Sequence, residues 1–301
     1  MKEDKKLKAV SFGEVLWDVF ANGKKIGGAP LNVALRMQNL GCNVAMISCV
    51  GHDPDGDAII DYISAKGLDT GSIIRTEGYP TGIVQVFVND RGSASYEISY
   101  PSAWDKIVLT DYARNLVADA DVLIYGSLVT RDAVSNHTLD ELLKNDVYKV
   151  FDVNLRAPHY TIEKLEALML AADLVKFNDE ELLEIASALG SAYTLPEDNM
   201  AFIAQKVNVK SICVTKGRHG AVLMWEGKLY QNGGYPVKVA DTVGAGDSFL
   251  ATLVTYLLTG IGPQSAIDTA CAVGALVASQ PGANANISQE QIDTLMLNGQ
   301  Q

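Results

Sequence analysis

Asp247 stands directly after Gly244-Ala245-Gly246, and the apolar run Phe249–Leu258 follows it. A run of that length suits about three turns of buried helix. The glycines ahead of it form a tight turn that delivers Asp247 to the first turn of that helix. A helix start exposes unpaired backbone N–H groups at the positive end of its dipole. Small residues let an anion come close to those groups. A carboxylate beside an anion cradle can take a proton from a hydroxyl while the amides hold the charge of a phosphoryl group in transfer. The same residues also read as a plain turn with an acidic helix cap, so the rest of the chain has to decide.

Four further stretches carry polar groups at useful places. Gly27-Gly28-Ala29-Pro30-Leu31-Asn32 opens a helix. Its glycines let backbone approach a ligand, and Asn32 lies in the first turn; alone, it is a loop before a proline-started helix. Asp152-Val153-Asn154-Leu155-Arg156 follows an apolar run, at the end of a strand where open α/β sheets bind ligands. Arg156 suits phosphate through its planar fork of donors. Asn178-Asp179-Glu180-Glu181 reads either as a helix cap or as an Asn/Glu pair that holds metal-bound water near a phosphate. Thr215 to Gly220 is a turn on which a nucleotide could rest.

The elements that must position these groups alternate in type. Strands are expected at Val10–Gly13, Val44–Val50, Val122–Tyr125, Lys149–Val153, Leu174–Lys176 and Ser211–Thr215. Helices are expected at Pro30–Leu40, Ala58–Lys66, 161–171, 178–189 and 197–206. This βαβ rhythm predicts a doubly wound α/β fold, its sheet mostly parallel and flanked by helices on both faces. Thr81–Tyr100 breaks the rhythm with two alternating strands around Asn89-Asp90-Arg91-Gly92, a hairpin signal. Residues 14–26 add a strand pair around Asn22-Gly23. Together, segments 14–26 and 81–100 predict a small β lid on a single domain spanning 1–301. Residues 220–231 form another hairpin, turning at Glu226-Gly227.

Composition narrows the function classes. The 301 residues carry a net charge of −12, which argues against a nucleic-acid partner. No signal peptide and no stretch of 18 apolar residues occurs, so no membrane partner and a cytoplasmic location are expected. The four cysteines, Cys42, Cys49, Cys213 and Cys271, form no C-x-x-C pair and read as buried free thiols. There is no P-loop motif, and Phe249 breaks a dinucleotide fingerprint. Asp53, Asp55 and Asp57 imitate a calcium loop but lack its glycine and glutamate.

Gly27-Gly28-x-x-x-Asn32 and Asp241-Thr242-x-Gly244-Ala245-Gly246-Asp247 together resemble the two signatures of the ribokinase-like (PfkB) carbohydrate kinases. The resemblance spans nearly the whole chain. It implies ATP-dependent phosphorylation of a sugar hydroxymethyl group under a β-sheet lid. By resemblance, Asp247 is the base, with Gly244, Ala245 and Gly246 as the anion hole. Asp18, Gly27, Gly28 and Asn32 bind the sugar. Asn178 and Glu181 match an N-x-x-E motif linked to Mg2+ and phosphate. Thr215, Gly217, Gly220 and Thr242 match the ATP site, with residues 271–282 as a further nucleotide loop. Asp241 and Val243 match positions that hold a monovalent cation, K+, in many members. Gly-Gly-Ala-Pro-x-Asn and Asp-x-Asn-x-Arg look most like fructokinases, with Arg156 contacting the sugar or the transferred phosphate. The rivals are a kinase for ribose, 2-keto-3-deoxygluconate or a nucleoside, and a sugar-binding regulator without catalysis. Trp104, beside the lid, is read equally as a sugar-stacking ring or a lid anchor. A homodimer through an apolar lid face is expected.

Overall fold

The computed structural model of the protein describes residues 6–21, 23–88 and 94–299. Nine strands form the main sheet. They are β1 (Lys8–Phe12), β4 (Asn43–Gly51), β5 (Ile73–Thr76), β8 (Val122–Gly126), β9 (Tyr148–Asp152), β10 (Leu174–Asn178), β11 (Ser211–Thr215), β12 (Ala221–Trp225) and β13 (Lys228–Asn232). Their spatial order is β13-β12-β11-β10-β9-β8-β1-β4-β5. All neighbours from β11 across to β5 run parallel; β12 and β13 add an antiparallel edge.

The central strands are apolar on both faces because helices cover both. In β8, Val122 and Ile124 enter one core while Leu123 and Tyr125 enter the other. The first core packs on α1 (Ala29–Asn39), α2 (Pro54–Ala65), α8 (Ala245–Leu258), α9 (Pro263–Ala278) and α10 (Gln289–Asn298). The second packs on α3 (Asp111–Ala118), α4 (Ala133–Leu142), α5 (Ile162–Leu170), α6 (Asp179–Ala188) and α7 (Pro196–Val207). After β1 the chain winds outward through β4 and β5, then returns to β8 on the other side of β1. The winding direction therefore reverses between β1 and β8, and crevices at such reversals are where open α/β sheets bind ligands.

The lid is a separate four-stranded sheet of order β3-β2-β6-β7, with β2 (Leu16–Phe20), β3 (Gly23–Gly27), β6 (Gly82–Val88) and β7 (Ala94–Ile98). Both predicted hairpins pair antiparallel, while β2 and β6 join them in parallel. Asn22 and residues 89–93, where the two turns were expected, lie outside the described residues. Leu16, Val84 and Val86 form the lid's own small core. Asp53 pins the lid's entry: its carboxylate accepts from the Thr81 N–H at 2.8 Å and the Thr81 hydroxyl at 2.7 Å. Trp104 is fully buried beneath β6, against Gly82, with the Arg131 guanidinium 3.9 Å over its ring. It is a lid anchor.

Some elements depart from the pattern reading. Helix α2 starts at Pro54, four residues before the expected Ala58, because Asp53 caps it and Pro54 takes the first turn. Asp53, Asp55 and Asp57, which only imitate a calcium loop, are this helix's start. Helix α9 runs to Ala278, so most of the expected loop at 271–282 is helical. Its small residues pack against α8, with Gly274 beside the Ala245 carbonyl. The structure adds helices α3, α4 and α10, which the expected pattern does not include.

Candidate active site

Gly244 is the N-cap of α8 and holds a left-handed backbone, φ 77°. An added Cβ there would also overlap Ala283, so two independent constraints require glycine. Asp247 then falls in the first turn, inside the helix, since Gly244 and not Asp247 is the cap. Its carboxylate accepts from the Asn32 amide at 2.8 Å. The plain-cap reading of this motif therefore fails, and the two motifs, 215 residues apart, meet at one point. Asn32 is itself held by Asn284, whose amide donates to its oxygen at 3.0 Å. Sequence reasoning missed Asn284, which carries no motif. Arg36, one turn along α1, donates to the Ser248 hydroxyl at 3.2 Å and the Ala285 carbonyl at 2.7 Å, locking α1 to the start of α8.

Burial pushes the Asp247 carboxyl up to about 6, and nearby Asp152 adds to the rise. The Asn32 hydrogen bond, Lys176 and Arg156 oppose it. Lys176 is buried beneath the cradle, beside Gly246, and donates to Asp152 at 2.9 Å. Together these residues form a carboxylate with a tuned proton affinity beside the first-turn amides of α8, of which the Ala245 N–H donates to the Thr242 carbonyl at 3.3 Å. Such a site can accept a proton and stabilise an anion at once.

The Arg156 charge acts on Glu14, Asp18 and Asp247, holding each carboxyl down against burial, and its guanidinium donates to the Leu155 carbonyl at 2.8 Å. Asp18 projects from β2 onto Gly27, where a Cβ would collide with its carboxylate. Burial raises Asp18 to about 6. Gly28, φ 114°, passes so close to the Glu14 carbonyl that no side chain fits. Glu14, unread from sequence, is 4% exposed and burial pushes it up to about 7. A carboxyl raised from its ordinary 4.5 binds its proton more tightly folded than unfolded, so it costs stability increasingly as pH rises through this window. Glu14→Gln should therefore raise Tm at pH 8 but not at pH 4. Equal shifts at both pH values would remove the burial argument.

The remaining sequence candidates divide. Asn178 and Glu181 form a reciprocal capping box on α6. Glu181 accepts from the Asn178 N–H at 2.8 Å and the Leu155 N–H at 2.9 Å, which fixes the loop carrying Arg156. Thr215 and Gly217 lie at the end of β11, Gly217 with φ 53° and open space where a side chain would be. Gly220 packs on the Asn232 carbonyl, a structural reason for its glycine. Asp241 braces the cradle loop, accepting from the Val243 and Gly282 N–H groups at 3.1 Å each. Thr242 and Val243 are exposed on that loop. All four cysteines are free and buried. Among the described residues, no helix is long and apolar enough to cross a membrane.

Known proteins share this chain's sequence pattern and fold. The chain is 31% identical over 256 residues to a Pyrococcus horikoshii sugar kinase described as uncharacterized, covering 81% of this chain and 76% of that one. The structure of that protein in complex with ATP superposes with a TM-score of 0.82 at 26% identity, covering 96% of this chain and 99% of that one. Escherichia coli fructokinase is 28% identical over 279 residues, covering 85% of this chain and 87% of that one. Xylella fastidiosa fructokinase with bound ATP shares the fold, with a TM-score of 0.86 at 23% identity over 98% of this chain and 99% of that one. The family description that matches residues 3–290 is the pfkB family carbohydrate kinase. On that match over nearly the whole chain, the chain belongs to the pfkB family of carbohydrate kinases.

Proposed function

We propose that the protein transfers the γ-phosphoryl group of ATP to the 6-hydroxyl of D-fructose. The observation that carries this reading is the Asn32–Asp247 hydrogen bond of 2.8 Å, which joins the Gly-Gly loop to the base beside the amide cradle. The preference for fructose rests on Gly27-Gly28-Ala29-Pro30, on Asp152-x-Asn154-x-Arg156, and on fructokinase relatives.

In this mechanism the sugar lies between the start of α1 and the lid face carrying Asp18, with Gly27, Gly28 and Asn32 around it. ATP lies over Thr215, Gly217 and the Thr242–Gly246 loop. Asp247 accepts the 6-hydroxyl proton as that oxygen bonds to the γ-phosphorus, and the bond from that phosphorus to the bridging oxygen of ADP breaks. The N–H groups at Gly244–Gly246 and the Arg156 guanidinium stabilise the charge in flight. Lid closure excludes water and so limits wasteful ATP hydrolysis. Among the described residues no three acidic, His or Cys side chains gather to hold a metal, which suits Mg2+ carried in by the triphosphate. It would neutralise phosphate charge, with Asn178 and Glu181 reaching it through water. Asp241 and Val243 would face K+ beside the cradle loop.

The base assignment sets a pH dependence. Asp247 acts only when deprotonated, so kcat/KM should rise through about pH 6 and fall tenfold per unit below it. A flat profile from pH 5 to 8 would count against the assignment. Gly27→Ala should displace Asp18 and raise the sugar KM about tenfold, roughly 1.4 kcal/mol, with the ATP KM little changed. The reading as a whole is tested by ADP release with ATP and Mg2+ across D-fructose, D-ribose, 2-keto-3-deoxygluconate, a nucleoside and no sugar. Fructose-dependent release well above the others supports it. Preference for another sugar discards the substrate, and ATP binding without any turnover favours a binding protein.

A further inference from the structure

We infer that Glu14, Ser127 and Asp152 form a hydroxyl-binding subsite that makes this protein select a neutral sugar over a sugar acid. The inference rests on the reading that a sugar occupies this cleft. Glu14 follows β1 and Ser127 follows β8, the two strands between which the winding reverses. Asp152 ends β9, the next strand. All three line one pocket between those strand ends and the start of α1. The pocket is bordered by the partly exposed residues Ala29, Gly126 and Asn154.

Each of the three presents a buried oxygen without a hydrogen-bond partner among the described residues: Glu14 Oε2, Ser127 Oγ and Asp152 Oδ2. The side chains belong to residues only 2–4% exposed. Buried polar atoms of this kind are costly unless something completes them. The pocket has room for about one water-sized group, which a hydroxyl matches. The chemistry points the same way. The Asp152 oxygen requires a donor, and a sugar hydroxyl supplies one while accepting from Ser127, with Glu14, pushed up to about 7 by burial, beside them. A substrate carboxylate has no proton to donate and would add another negative charge. The nearby cations are partly engaged: Lys176 is bound to Asp152 and Arg131 to Asp105, with Arg131 Nη1 left without a partner. Fructose and 2-keto-3-deoxygluconate share the 6-hydroxyl but differ at C1, a hydroxymethyl in one and a carboxylate in the other. This pocket favours the first.

The test is calorimetric binding without nucleotide, using D-fructose, D-ribose and 2-keto-3-deoxygluconate. The proteins are wild type, Glu14→Gln and Ser127→Ala, each checked for folding by circular dichroism. A neutral sugar should bind wild type at least about a hundredfold tighter than the sugar acid, since a site built for a hydroxyl rejects groups that leave its polar atoms unpaired. Ser127→Ala should weaken the neutral sugar about tenfold, and Glu14→Gln should narrow the preference by a similar factor. If Glu14→Gln fails to fold, Ser127→Ala carries the test. Sugar acid binding as tightly as the neutral sugars overturns the proposal. So does binding unchanged in both variants, which would mean the pocket holds only water, or no binding of any sugar. The kinase reading fails separately: neutral-sugar binding with this selectivity but no ADP release keeps the subsite and discards phosphoryl transfer.

Discussion

Asp247→Asn lowers turnover by roughly 10²–10⁴-fold, the contribution of a positioned general base, while the Kd for ATP stays close to the wild-type value. The substitution is nearly isosteric and can keep a hydrogen bond to Asn32, so the cradle amides remain aimed as before. What is lost is the proton acceptor. Asn32→Ala gives a useful contrast, because it removes the 2.8 Å bond that orients the carboxylate and leaves the base in place. Its effect should be smaller, and its pH profile should shift upward, since that bond helps hold the Asp247 pKa down. Steady-state kinetics and equilibrium ATP binding on both variants separate the two roles. Near-normal turnover in Asp247→Asn would end the assignment.

Arg131→Met destabilises the protein by about 3–5 kcal/mol, the usual cost of leaving one partner of a buried ion pair alone. The Arg131 and Asp105 side chains are 3% and 0% exposed. The guanidinium grips Asp105 in a fork at 2.8 and 2.9 Å, and donates to the Ser99 carbonyl at 2.6 Å. It also covers Trp104. Ser99 directly follows β7, so the same side chain ties the base of the lid to the main body. The double variant Arg131→Met with Asp105→Leu should recover part of the loss, because it leaves no buried charge unpaired. It cannot recover all, since Asp105 also accepts from the Ser102 N–H at 2.8 Å. Urea denaturation of the two variants measures this. A loss below about 1 kcal/mol, the range of an exposed pair, would show that the fork contributes little.

The parts of the fold legible in the sequence were those where local pattern and tertiary role coincide. The runs at Val122–Tyr125 and Ser211–Thr215 are apolar on both faces because helices cover both, and they appear within a residue of expectation. Glu226-Gly227 turns a hairpin because both residues adopt positive φ, 50° and 77°. Helix α9 was missed for another reason. The loop at 271–282 came from the resemblance, whereas the alanine-rich segment favours helix and suits a close approach to α8. Asn178 and Glu181 show an ambiguity within a site: sequence offered a cap or a metal-water pair, and the cap that their side chains form does not by itself decide between the two.

By itself, the sequence determined the strand and helix alternation, the lid's hairpins and the two motifs with Asp247 and Asn32. Each depends on neighbours within a few residues, whose backbone preferences and periodicity are local physics. Only the tertiary structure decided that Asn32 grips Asp247, that Asn284 holds Asn32, and that the Arg156 charge acts on Glu14, Asp18 and Asp247. It alone set Glu14, Ser127 and Asp152 around one pocket. Those relations join residues far apart in the chain, and their energies come from burial and charge proximity that exist only once the strands are ordered in the sheet.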